Sequence, residues 1–128
     1  SPEGLVARMW RVRVEEDILA LVAAVRRAGV RTALLSNAWG GSLYPWERLD
    51  ELFDVRVLSY EVGLRKPDPA IFRLTLERLG APAEECIFVD DDPGHVRVAA
   101  ELGMTAVLHM APARTVAEVR ELLALGAA

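Results

Sequence analysis

Ile87-Phe88-Val89-Asp90-Asp91-Asp92-Pro93-Gly94 is the stretch on which the fold of this chain turns. Three apolar residues run into three acids, then a proline and a glycine. Apolar β-formers closed by turn residues predict a buried strand. Asp92-Pro93 predicts a helix N-cap followed by proline at the first helical position. In an open α/β sheet, the turn between a strand and the following helix is where ligands bind, outside the carboxyl ends of the strands. Adjacent carboxylates at such a place repel one another unless a cation or a shared proton relieves them. Oxygen-only donors suit Mg²⁺, which takes one or two carboxylates and keeps several waters. Asp92 is accounted for as a cap. Asp90 and Asp91 are not, and they are the candidate metal ligands.

The same punctuation recurs on both sides of this stretch. Upstream, Ile18, Leu21, Val22 and Val25 fall at helical spacing between Glu15 and Ala28, with acids first, Arg26-Arg27 last and Gly29 as the stop. Val30 to Ser36 follows as a strand, then Ser36-Asn37 and a glycine pair at Gly40-Gly41. A helix is expected near Pro45 to Leu52 and a third strand from Val55 to Ser59. Asp68-Pro69 repeats the cap-and-proline device, opening a helix with Ile71, Phe72, Thr75, Leu76 and Leu79 on one face and Gly80 at its end. Lys66 stands just before it on a stretch stiffened by prolines, which argues for a held position. Downstream, a helix reaches Leu102, Thr105 to Leu108 forms the last strand, and Thr115 with Glu118 predicts a capping box for the last helix. Strand alternating with helix predicts an α/β fold with a parallel sheet covered on both faces.

Bulk properties narrow the function classes. At 128 residues the chain is sized for one domain with one core. The 19 acids against 15 bases leave no basic surface suited to nucleic acid. Cys86 is the single cysteine, which precludes an internal disulfide and fits a reducing compartment. Ile18 to Val25 is far too short to span a membrane, and no stretch has the pattern of a signal peptide. A cytoplasmic location and no membrane partner are expected. His95 and His109 lack partners at metal-ligand spacing and are read as non-catalytic.

Ser36-Asn37, Lys66 and Asp90-Asp91 lie at, or soon after, the carboxyl ends of consecutive predicted strands, and such ends face one way in a parallel sheet. Hydroxyl, ammonium and paired acids around one point make a set for handling phosphate. Here the sequence resembles the haloacid dehalogenase-like (HAD) hydrolase superfamily. Leu34-Leu35-Ser36-Asn37 is similar to its second motif, Lys66-Pro67-Asp68-Pro69 with Ile71-Phe72 to its third, and Phe88-Val89-Asp90-Asp91 to its fourth. The resemblance implies a Rossmann-like core and Mg²⁺-dependent hydrolysis of a small phosphorylated substrate. It implies that Ser36 binds the transferring phosphoryl group with help from the Asn37 backbone. Lys66 would offset the charge of nucleophile and phosphate, and Asp91, assisted by Asp90, would ligate Mg²⁺. Where His95 stands the family often carries another acid or an asparagine.

Two readings compete within this frame. Dehalogenating relatives need no metal and tend to show Ser-Asn in the fourth motif, so the acidic turn favours the phosphatase. A receiver domain of phosphorylation signalling shares the residue types, but its acids come first in the chain and here they come last.

The resemblance also implies a nucleophilic aspartate at the end of a first strand, without which aspartyl-phosphate chemistry cannot proceed. Nothing before Ser36 matches it. Glu15, Glu16 and Asp17 read as the first turn of a helix. The chain opens on Ser1 and resembles a member lacking the first strand and most of the cap, with residues 1–14 a remnant of a helical cap or an N-terminal helix and 15–128 the core. A non-catalytic remnant or interaction domain is therefore the alternative function. In the family that strand lies between the strands ending at Ser36 and Asp90. Its absence predicts that those strands close up, or that the gap is filled in trans, by self-association among other routes. Arg11 and Arg13 suit a central buried strand poorly.

Overall fold

The computed structural model describes residues 16–37 and 46–124. The expected helix over Ser1-Pro2-Glu3, the remnant over residues 1–14 and the glycine pair Gly40-Gly41 lie outside them. Four strands alternate with helices: α1 (Glu16–Arg27), β1 (Ala33–Ser36), α2 (Trp46–Leu52), β2 (Val55–Leu58), α3 (Ser59–Val62), α4 (Pro69–Leu79), β3 (Ile87–Asp90), α5 (Pro93–Glu101), β4 (Thr105–Leu108) and α6 (Pro112–Leu122). Each strand is four residues long and falls inside its predicted segment.

Local chemistry explains most boundaries. Asp68 caps α4 by accepting a hydrogen bond from the Ala70 N–H at 2.9 Å, and Gly80 ends it with φ 71°, a left-handed conformation that suits glycine. Asp92 caps α5, accepting from Gly94 N–H at 2.7 Å and His95 N–H at 3.4 Å. The last helix corrects the expected capping box. Proline is preorganised for a first helical turn, and α6 starts at Pro112, with Ala111 as its N-cap. That leaves Thr115 inside the helix and buried, its hydroxyl 2.6 Å from His109 Nδ1. The one-turn helix α3 carries no side-chain cap and was not predicted.

β1 pairs with β2 and β3 with β4, both parallel. Asp54 fastens the start of the first pair: its carboxylate accepts from Thr32 N–H at 2.9 Å and from Arg26 at 2.8 Å. The Thr32 N–H, helped by Arg26, holds the Asp54 carboxyl below the usual carboxylate range. One apolar cluster joins α1, β1, β2 and α2 through Ile18, Val22, Leu34, Leu49 and Leu58. A second fastens α4 to both strand pairs through Leu35, Val57, Phe72 and Phe88. A third sets α1 and α6 against β3 and β4. Of the two expected outcomes, direct closure of the sheet is absent among the described residues, where β1 and β3 are not hydrogen-bonded to each other. A cavity of about 260 Å³ lies between them, lined by α1, α4 and α6.

Candidate active site

Ser36 is the last residue of β1, Asp90 the last of β3, and Lys66 lies in the loop between α3 and α4. All three are almost wholly buried, as are Asn37 and His95. Lys66 joins the two half-sheets. Its Nζ donates to Asp90 Oδ2 at 2.7 Å and to the Leu35 carbonyl at 3.3 Å, and lies 5.9 Å from the centre of the Phe88 ring. A charge this deep needs a partner of opposite sign, and Asp90 supplies it.

Asp90 is fully engaged. Oδ2 also meets His95 Nδ1 at 3.1 Å, and Oδ1 accepts from the Asp92 N–H at 2.9 Å. Burial pushes its carboxyl above the usual range, against the pull of His95, Lys66 and the Asp92 N–H. Asp91, beyond the strand end, is half-buried, with its Oδ1 enclosed.

Asn37 contributes more than the backbone expected of it. Its side chain grips both polar groups of the Lys66 backbone, donating to the carbonyl at 3.0 Å and accepting from the N–H at 2.8 Å. An asparagine side chain offers a donor and an acceptor side by side, so it can bridge the N–H and C=O of a single residue. The sequence signal was the Ser-Asn pair itself, read there as a ligand-side feature. His95 was set aside for want of a metal-ligand partner, and its partner is Asp90. It stands three residues after Asp92, on the first turn of α5, which aims it back at the strand end.

The donor chemistry suits Mg²⁺, but the donor count does not. Asp90 Oδ2 is taken by Lys66 and His95, and the described residues contain no group of three acidic, histidine or cysteine side chains placed to hold a metal ion. Asp91 is left as the principal carboxylate. One carboxylate and water make at most a weak site, which substrate phosphate would have to complete.

The site is thus a parallel α/β fold with hydroxyl, amide, ammonium and acids at its strand ends. The family profile of haloacid dehalogenase-like hydrolases matches residues 2–103, and the chain belongs to that family. It is 35% identical to phosphatase MT3486 of Mycobacterium tuberculosis (strain CDC 1551 / Oshkosh), over 87% of this chain and 54% of that protein. An uncharacterized protein of Corynebacterium glutamicum superimposes with a TM-score of 0.78 at 32% identity, over 86% of this chain and 82% of that one. A HAD family enzyme of Bacteroides thetaiotaomicron, solved with magnesium and inorganic phosphate, gives 0.68 at 28% identity, over 78% of this chain and 55% of that one. The chain thus spans about half the length of that phosphatase and that enzyme, and no more than 19% of three longer curated relatives. No helix among the described residues is long and apolar enough to cross a membrane.

Proposed function

We propose that this chain carries the phosphate-handling part of a Mg²⁺-dependent phosphatase site and, by itself, does not turn over phosphate esters. One observation carries the reading: Lys66 ties the carboxyl ends of β1 and β3 together through Leu35 and Asp90. That brings Ser36, Asn37 and Asp91 to one edge of the fold. The names of the relatives, a phosphatase and an enzyme crystallised with magnesium and phosphate, agree with it.

In this reading the Ser36 hydroxyl and the backbone N–H of Asn37 hold phosphoryl oxygens. Asn37 fixes the Lys66 backbone. Lys66 and Asp90 neutralise each other, so Lys66 positions the acidic turn more than it presents an open charge. A metal at Asp91 would supply charge neutralisation of the phosphoryl oxygens. No aspartate of this chain stands where a nucleophile is needed: Glu16 and Asp17 occupy the exposed first turn of α1.

An aryl phosphate with excess Mg²⁺ tests the reading. No hydrolysis above background is expected, whereas inorganic phosphate should shift the amide resonances of Asn37 and Asp91. Turnover abolished by Asp91→Asn would reveal a nucleophile within the chain, and an absence of phosphate-dependent shifts would remove the phosphate site. For the metal, calorimetry should give millimolar-order Mg²⁺ binding, because roughly one carboxylate is available where one or two plus substrate are usual. Equal binding by wild type and Asp91→Asn would make the acidic turn an ordinary solvated loop.

A further inference from the structure

His95 is a buried imidazole on the first turn of α5, 4% exposed. Its Nδ1 lies 3.1 Å from Asp90 Oδ2, the same oxygen that accepts from Lys66 Nζ at 2.7 Å. Its Nε2 lies 3.9 Å from Asp92 Oδ2, too far for a hydrogen bond. The contact with Asp90 therefore orients the ring. A carboxylate has no proton to give, so the imidazole is the donor and carries a proton on Nδ1. Three links then close a ring around Asp91. The Asp92 N–H donates to Asp90 Oδ1 at 2.9 Å, Asp92 Oδ1 caps the helix end that bears His95, and His95 returns to Asp90 Oδ2.

We propose that His95 is a positioning residue: by donating from Nδ1 it fixes the Asp90 carboxylate, and through it the place of the Lys66 ammonium and the course of the acidic turn. The three donors to Asp90 are not equivalent. Lys66 is a point charge on a flexible four-carbon stem and can follow the carboxylate as it turns. The Asp92 N–H belongs to the same turn and moves with it. His95 alone of the three stands on a helix, and α5 is seated by Ala99 in the cluster that also holds Phe88. The role belongs to a donor at one position, not to the bulk of the ring. An asparagine amide reaches about as far from the backbone as Nδ1, whereas a glutamine amide lies one methylene further on, near the place of Nε2. These hydrogen bonds stand apart from the phosphatase reading, and only the use made of the acidic turn rests on it.

Nuclear magnetic resonance of the intact chain tests the proposal, because Lys66 is its only lysine and its ammonium gives one signal. In wild type the His95 ring should show a slowly exchanging proton on Nδ1. His95→Asn should keep the Lys66 signal and its proton exchange near wild type. His95→Gln should shift the signal and speed exchange of the ammonium protons by about tenfold or more. A ring that only fills space predicts the reverse order, since glutamine is nearer histidine in volume and asparagine leaves a cavity. Mg²⁺ affinity, followed at the Asp91 amide, should be kept in His95→Asn and fall by about tenfold or more in His95→Gln. A wild-type ring with its proton on Nε2 and none on Nδ1 would overturn the proposal. So would a Lys66 signal unmoved in His95→Gln, or equal changes in the two variants. The Lys66 order as expected, with no Mg²⁺ bound by wild type, would uphold the positioning and count against the phosphatase reading alone.

Discussion

Asp90→Ala is expected to cost about 3–5 kcal/mol of folding stability, the usual penalty for stranding one partner of a buried ion pair. The variant removes the carboxylate that accepts from Lys66 at 2.7 Å and from His95 at 3.1 Å. Lys66 is then a buried ammonium with the Leu35 carbonyl at 3.3 Å in place of a counter-charge. Against a whole-domain stability of roughly 5–15 kcal/mol, that loss would leave little margin. Lys66→Met should be milder and should depend on pH. Burial already pushes the Asp90 carboxyl up, and Lys66 opposes this. Without Lys66 the folded protein favours protonated Asp90 more strongly. A group whose folded pKa lies above its unfolded value contributes its stability in full below the unfolded value and loses it as pH rises through the folded one. Lys66→Met should therefore be more stable near the ordinary aspartate pKa of about 3.9 than at neutral pH, relative to wild type. Asp90→Leu with Lys66→Met should recover much of the loss, since an apolar pair needs no counter-charge. Urea titrations at both pH values give the full cycle. A loss under about 1 kcal/mol for Asp90→Ala would mean that water reaches Lys66.

The parts of this fold that sequence reveals are those made by local chemistry. Asp68-Pro69 and Asp92-Pro93 announce α4 and α5 because a cap and a preorganised proline act within one turn. The four strands are legible because each is a short apolar run between such signals. What is not legible depends on contacts distant in sequence. Lys66 and Asp90 are 24 residues apart, and nothing near either says that they pair instead of facing a ligand separately. Asn37 reaches across 29 residues to the Lys66 backbone. α6 shows the limit from the other side: two local signals competed, and proline at Pro112 prevailed over Thr115 and Glu118. The gap between β1 and β3 was readable only through the family resemblance, and no local signal says that the two strands are not paired directly among the described residues.

Phe72→Ala is expected to cost about 3–5 kcal/mol, the range for removing a buried aromatic ring. Phe72 lies on α4 with 1% of its surface exposed and meets Phe88 of β3 edge-on, with ring centres 5.2 Å apart. That contact is part of the cluster that fastens α4, and hence the Lys66 loop before it, to both strand pairs. Its position should place the cost toward the upper end of the range. The ring also lines the cavity between β1 and β3, so truncation enlarges a space that is already open. The penalty grows by about 24 cal/mol for each Å³ that surrounding atoms fail to reclaim. Collapse from the β1 and β3 sides is resisted because each strand is held in register by its partner. Phe72→Leu, which keeps most of the volume, should cost under about 1.5 kcal/mol. Chemical denaturation of both variants gives the comparison, and the resonances of Phe88 and Lys66 should move in Phe72→Ala because Phe88 joins the two positions. Equal losses for the alanine and leucine variants would show that the cavity wall closes over the missing ring, and that the separation of β1 and β3 is soft instead of being held by α4.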